Sequence, residues 1–251
     1  MPDPSWRPSY PLGEWLKRTL IPPRINMWRF VRKQLRRGEA ELHLLGLLVR
    51  PDGIAIDIGA HRGVYTHVLS KLTPRVEAFE PNPAVFLMLR RTLPSKARAH
   101  PVALSDREGK ADLLVPCDGG KYSDQRATLN PRSADAEVRP VRVTMRTLDS
   151  YGFENIGFIK IDVEGLEQAV LRGARETLAR ERPVLLVEME ERHTGEPIEA
   201  SLAAVAALGY ELHFARGGRL HPISAFDPAA DHRSAVDTRP YINNFIGRPI
   251  D

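Results

Sequence analysis

The segment with the most chemistry to offer is Asp57-Ile58-Gly59-Ala60-His61-Arg62-Gly63. It follows the isoleucine-rich run Ile54 to Ile58 and precedes an amphipathic stretch, so it reads as a turn from a strand into a helix. Such a turn brings backbone N–H groups and a helix N-terminus to a ligand. Glu80 ends the next apolar run, 21 residues after Gly59. A carboxylate there can accept hydrogen bonds from both hydroxyls of a ribose. Together these residues point to a nucleoside-containing cofactor. A dinucleotide site calls for G-x-G-x-x-G, because its middle glycine lets the backbone approach a pyrophosphate. Here His61 and Val64 occupy the second and third glycine positions. Asp57 also adds negative charge near the place of a pyrophosphate. S-adenosylmethionine has no phosphate but carries an ammonium and a sulfonium, which an acidic strand end suits. The residues therefore favour S-adenosylmethionine over NAD.

A second cluster is Phe158-Ile159-Lys160-Ile161-Asp162-Val163-Glu164-Gly165. Strand alternation puts Lys160 and Asp162 on one face. A central strand covered by helices is expected to be apolar on both faces, so two ionisable groups there need partners or a function. Lys160 can pair with Asp162, or with Glu188 on the following strand. Asp162 and Glu164 stand at the carboxyl end of their strand, where ligands of open α/β sheets bind. Asp162 is the first candidate for substrate positioning or base work and Glu164 the second. His193 is the third, because it follows the next strand and titrates near neutrality. Asp162, Glu164 and Glu188 could hold a divalent cation through oxygens. Their spacing does not demand one, and no metal is assigned.

Alternating strands and helices must position these groups. Strand patterns cover Ile54–Ile58, Val76–Phe79, Ala97–Leu104, Ala111–Val115, Val138–Met145, Phe158–Val163, Val184–Met189, Tyr210–Ala215 and Ile242–Ile246. Helical patterns cover Val64–Leu72, a stretch opened by Pro83, 165–180, and 197–208 with Gly209 beyond its end. This alternation predicts a parallel sheet with helices on both faces. Residues 117–137 are polar and read as an insertion or flexible loop. Before the sheet, 24–37 forms an amphipathic helix, 39–49 a second apolar helix, and 14–20 a short helical piece.

Residues 1–50 hold ten Lys/Arg and four Asp/Glu, a charge of +6, whereas the remainder carries −2. That division argues against a nucleic-acid-binding body. It predicts a basic N-terminal arm over 1–50 and a cofactor-binding domain over 51–251. The arm can lie on an anionic membrane, pack on its own domain, cover the substrate crevice or join a homodimer. The apolar run Leu44–Val49 is too short to span a bilayer, and no secretory signal is visible. The single cysteine, Cys117, leaves no internal disulfide, and a cytoplasmic location is expected.

IAIDIGAHRGVYT (54–66), VEAFEPNP (76–83), VALSDREG (102–109), FIKIDVEGLEQAVLRGARETL (158–178), PVLLVEME (183–190) and YINNFIGRP (241–249) together resemble the FkbM-type family of S-adenosylmethionine-dependent methyltransferases. The likeness spans roughly residues 40–250. It implies a Rossmann-like class I methyltransferase fold: a seven-stranded, mostly parallel sheet with an antiparallel last strand. It also implies that Asp57, Gly59, Ala60 and Gly63 line the methionine end of the cofactor, and that Glu80 holds the ribose. Pro81 and Asn82 would then shape the adjoining loop, and Ala103 and Ser105 would flank the adenine. The implied reaction is O-methylation of a hydroxyl, often on a sugar, glycan, polyketide or other secondary metabolite. His61-Arg62 departs from the small or uncharged residues common there. Two other functions stand beside this one: an NAD(P)-dependent oxidoreductase, and a non-catalytic cofactor-binding scaffold working through the basic arm.

Overall fold

The computed structural model describes residues 22–118, 121–122, 127–129, 138–236 and 241–250. Twelve strands are found among them. In chain order they are β1 (Ile54–Ile58), β2 (Val76–Phe79), β3 (Ala97–His100), β4 (Val102–Leu104), β5 (Gly109–Asp118), β6 (Lys121–Tyr122), β7 (Val138–Arg146), β8 (Ile156–Ile161), β9 (Val184–Glu188), β10 (Tyr210–Arg216), β11 (Arg219–Pro222) and β12 (Asn244–Pro249). Eight form one sheet in the order β11-β10-β12-β9-β8-β1-β2-β3. β1 pairs in parallel with β2 and β8, and β8 with β9. The last strand, β12, runs antiparallel to both β9 and β10. Every residue of β1 and β8 is buried, as expected for central strands covered on both faces. The chain proceeds from β1 outward to β2 and β3, then returns to β8 on the other side. That reversal opens a crevice beyond the carboxyl ends of β1 and β8.

The eighth strand exceeds the seven implied by the resemblance. Gly217 and Gly218 take φ values of +59° and +73°. Two successive left-handed residues make a tight hairpin turn, and it folds β11 back onto β10. A further correction concerns Ala97–Leu104, which is two strands. Pro101 lacks an N–H and interrupts the ladder, so β3 stays beside β2 while β4 joins a separate sheet. That four-stranded sheet, β4-β7-β5-β6, takes the segments around 111–115 and 138–145 away from the main sheet. Lys121–Tyr122 and a bridge from Thr128 to Leu114 replace part of the expected 117–137 loop. The remainder of that loop, and the helix expected at 14–20, lie outside the described residues.

The helices follow their sequence signals with two exceptions. Asn82 caps the helix Pro83–Thr92 by accepting from the Ala84 N–H. The single helix expected at 165–180 is two, Glu167–Arg172 and Arg175–Glu181. Between them Gly173 passes so close to Ser105 that a Cβ would fall 1.9 Å from its carbonyl oxygen. The apolar helix expected at 39–49 is a 3-10 turn, Ala40–His43, followed by one helical turn, Leu45–Leu48. Neither has a side-chain cap; the burial of Leu42, Leu44, Leu45 and Leu48 holds the segment in place. The helix Pro23–Arg37 packs on the helices Val64–Leu72 and Pro83–Thr92, and its Met27 and Val31 are buried. Among the described residues no helix is long and apolar enough to cross a membrane.

Candidate functional site

A cavity of about 690 Å³ opens at the carboxyl ends of β1 and β8. Of the residues the sequence points to, Gly59, Ala60, His61, Arg62, Glu80, Pro81, Ala103, Lys160, Asp162 and Glu164 line it. Asp57, Gly63, Asn82, Ser105 and His193 are not among the residues that line it.

The turn after β1 owes its shape to close backbone packing. Gly59 has φ +77°, and a Cβ there would lie 1.7 Å from the Asp162 carbonyl oxygen. Only glycine lets β1 and β8 approach this closely as they end. The Gly59 and Ala60 N–H groups donate to the Phe79 carbonyl at 3.0 and 2.9 Å. His61 sits at φ +48°, a left-handed position that histidine tolerates better than most residues. The turn thus forms without the glycine a dinucleotide fingerprint would place there.

Glu80 is fixed by two backbone donors: the His61 N–H at 2.8 Å and the Asn82 N–H at 2.8 Å, one on each carboxylate oxygen. Burial pushes its pKa up to about 7 against the pull of those N–H groups. Asp57 is 0% exposed. One carboxylate oxygen accepts from the Thr66 hydroxyl at 2.6 Å, and the other has no hydrogen-bond partner. Burial raises its pKa, opposed by Lys160 and the Thr66 hydroxyl. An unsatisfied buried carboxylate oxygen beside the turn suits a cationic ligand and opposes a diphosphate.

Lys160 resolves its sequence alternatives in favour of Asp162, with 2.8 Å between Nζ and the carboxylate. It neighbours Asp57 across the β1–β8 ladder and lies 4.7 Å from the centre of the Tyr65 ring. Burial draws its pKa down, but Asp162, Asp57 and Glu39 together outweigh that and raise it. The Tyr65 hydroxyl donates to Glu39. Burial raises the pKa of Glu39 and pushes Glu41 up to about 7. Both carboxylates line the cavity, and sequence reasoning missed them. Their signal was available: they are the only acids between Glu14 and Asp52, in an otherwise basic arm.

On the other side of Asp162, Glu164 holds φ +55° and is followed by Gly165 at +99°. Strained backbone of this kind persists only where its surroundings over-determine it. The Thr128 hydroxyl donates to the Glu164 carbonyl at 2.8 Å. His193 Nε2 lies 3.2 Å from the Glu164 carboxylate. Burial, then the charges of Asp162, Glu190 and Glu167, push Glu164 up to about 8. Burial also lowers the pKa of His193, although Glu190 and Asp162 oppose it. Asn243 Nδ2 donates to Glu188 at 2.7 Å and to Glu190 at 2.9 Å, fixing the wall of the cavity beyond this pair. Among the described residues, no group of three or more His, Cys, Asp or Glu side chains is arranged to hold a metal ion.

A model of the methyltransferase FkbM domain matches residues 57–212, more than half of the chain. The chain is 27% identical over 230 residues to 2-O-methyltransferase NoeI of Sinorhizobium fredii (strain NBRC 101917 / NGR234), covering 82% of this chain and 94% of that protein. It is 26% identical over 146 residues to Methyltransferase 1 of Beauveria bassiana (strain ARSEF 2860), covering 49% and 58%. The crystal structure of methyltransferase FkbM from Methylobacillus flagellatus KT aligns with a TM-score of 0.49 at 14% identity. The alignment covers 94% of this chain and 60% of that one.

Proposed function

This chain belongs to the FkbM methyltransferase family, and from that premise we propose that it methylates a hydroxyl of a sugar, glycan, polyketide or other secondary metabolite. The methyl donor is S-adenosylmethionine. It supplies a methyl group already activated by its sulfonium. The observation that carries the reading is the carboxylate array at the carboxyl ends of β1 and β8: buried Asp57 with one unsatisfied oxygen, buried Glu80 held by two N–H groups, and the partly buried Asp162. That array fits a cationic adenosyl donor and repels a diphosphate, which sets the oxidoreductase reading aside. Similarity to a protein named 2-O-methyltransferase supports oxygen as the acceptor atom.

Each residue then has a task. Gly59 and Ala60 border the methionine end, with Asp57 and Gly63 behind them. Glu80 accepts from the ribose hydroxyls, while Pro81 and Asn82 fix the loop that carries it. Ala103 borders the adenine, and Ser105 supports that wall from behind. Asp162, held by Lys160, positions the acceptor. Glu164 reaches the cavity and draws the hydroxyl proton as the oxygen attacks. His193 acts through Glu164, holding its carboxylate in place. Alignment of acceptor oxygen and methyl group supplies most of the acceleration in such a displacement.

Incubation with trideuteromethyl S-adenosylmethionine and a panel of hydroxylated glycans and polyketides, read by mass spectrometry, tests this function. A mass gain confined to hydroxyl-bearing compounds is expected. Labelling of amines alone would overturn it.

Glu80 makes a further prediction. Its carboxylate must be ionised to accept two hydroxyl donors, and its pKa is about 7. Donor affinity should therefore rise as pH increases from 6 to 8. Glu80→Ala should weaken binding about 10- to 100-fold, the range expected on losing hydrogen bonds to a charged group. Calorimetric titration at each pH measures both effects.

A further inference from the structure

We propose that the outer face of the helix Pro23–Arg37 docks on the surface of an anionic lipid bilayer. The inference concerns a surface outside the cofactor turn, and its test reads lipid binding rather than methyl transfer.

The helix has two unlike faces. Met27 and Val31 are buried against the domain. Ile25, Trp28, Arg29, Arg32, Lys33 and Arg36 are exposed on the opposite side. The helix contains six basic residues and no acidic one. An ordinary solvated face mixes both signs and gains from Glu–Lys or Asp–Arg pairs one turn apart. This face has no such pairing within the helix, and it concentrates positive charge on a chain whose residues 51–251 sum to −2.

Two large apolar side chains stand among these cations. Trp28 is 56% exposed and Ile25 is 50% exposed. The Arg32 guanidinium lies 5.3 Å from the Trp28 ring centre. Tryptophan beside arginine suits the headgroup level of a bilayer, where the ring enters the acyl boundary and the cation meets phosphate. A nucleic acid would be served by the charge but not by Ile25, and it would follow a basic track onto the body, which is slightly acidic. Fifteen residues span about 22 Å, too short to cross the bilayer. The helix would therefore lie in the plane of the membrane.

The position of the helix gives docking a consequence. Phe30 and Gln34, on its inner side, line the cavity, and Arg62 from the cofactor turn lies 5.8 Å from the Phe30 ring centre. One element thus forms both the docking surface and a wall of the site. A docked chain would meet acceptors carried by the membrane at high local concentration.

Co-sedimentation of the full chain with vesicles tests the proposal. One set is pure phosphatidylcholine, and the other contains about a third phosphatidylglycerol. Binding to the anionic vesicles should exceed binding to the neutral ones by at least about tenfold and should fall steeply with added salt. The triple variant Arg29→Glu, Arg32→Glu, Lys33→Glu should lose at least about tenfold of that partition, and Trp28→Ser a smaller part. Thermal melting and affinity for S-adenosylhomocysteine should be unchanged in both variants, which separates lost docking from a lost fold or a misread cofactor site. Equal partition onto both vesicle types, or full retention by the triple variant, would overturn the proposal. Preference for single-stranded RNA over anionic vesicles at equal phosphate would also overturn it.

Discussion

Replacing Lys160 by Met is expected to lower the stability of the chain by about 3–5 kcal/mol, the cost of leaving partners of a buried ion pair uncompensated. Lys160 is 4% exposed and sits 2.8 Å from Asp162, with Asp57 beside it on the neighbouring strand. Glu39 and Glu188 also feel its charge. The sign of the pH dependence follows from these shifts. The pKa of Lys160 is raised above its ordinary value of 10.5, so its contribution is fully present at neutral pH and is lost only under strongly alkaline conditions. In the methionine variant the surrounding acids can relieve their repulsion by taking up protons. The gap between variant and wild type should therefore narrow as pH falls from 8 to 5. Urea unfolding at several pH values measures it. A difference below about 1 kcal/mol at pH 8 would show that Lys160 is not the counter-ion of this site.

Glu164→Gln should reduce kcat by about 10²–10⁴-fold, the usual contribution of a positioned general base. Donor affinity should change little, because the proposed cofactor contacts belong to Glu80 and the turn at 57–63. Glu164 must be ionised to draw the acceptor proton, and its pKa is about 8. The wild-type rate should thus rise through that pH and level off above it. His193→Gln should leave a slower enzyme whose pH midpoint is displaced, because His193 shapes the environment of Glu164. Asp162→Asn serves as the comparison. Loss of turnover there, with a pH midpoint moved below that of the wild type because the Asp162 charge no longer raises Glu164, would fit acceptor positioning. A pH profile that vanishes in Asp162→Asn and survives in Glu164→Gln would assign the base to Asp162 instead.

The central architecture was legible because its signals are local. An isoleucine-rich run ending in Asp57 and Gly59, Glu80 at the next strand end, and Pro83 at a helix start each state a backbone requirement within a few residues. The Lys160–Asp162 pair followed from strand alternation. Long-range requirements were not legible. Nothing near Gly173 announces that the Ser105 carbonyl will lie against it, so the local pattern predicts one helix where two occur. Segments 111–115 and 138–145 have sound strand patterns, but the pattern does not say which sheet a strand joins. The break at Pro101 and the Gly217-Gly218 hairpin did have local signals in those residues. In the site, Glu39 and Glu41 line the cavity from a segment whose net charge is basic, so composition there points to its outer face and not to a pocket. The titration range of histidine makes His193 a candidate from sequence; its place beside Glu164 depends on where the turn after β9 carries it.

Calorimetric titration of the purified chain with S-adenosylhomocysteine and, separately, with NAD tests the cofactor assignment most directly. Saturable one-to-one binding of the adenosyl ligand, weakened by Glu80→Ala, is the predicted result, with no heat from the dinucleotide. Binding of NAD that Glu80→Ala weakens, with no response to S-adenosylhomocysteine, would contradict it.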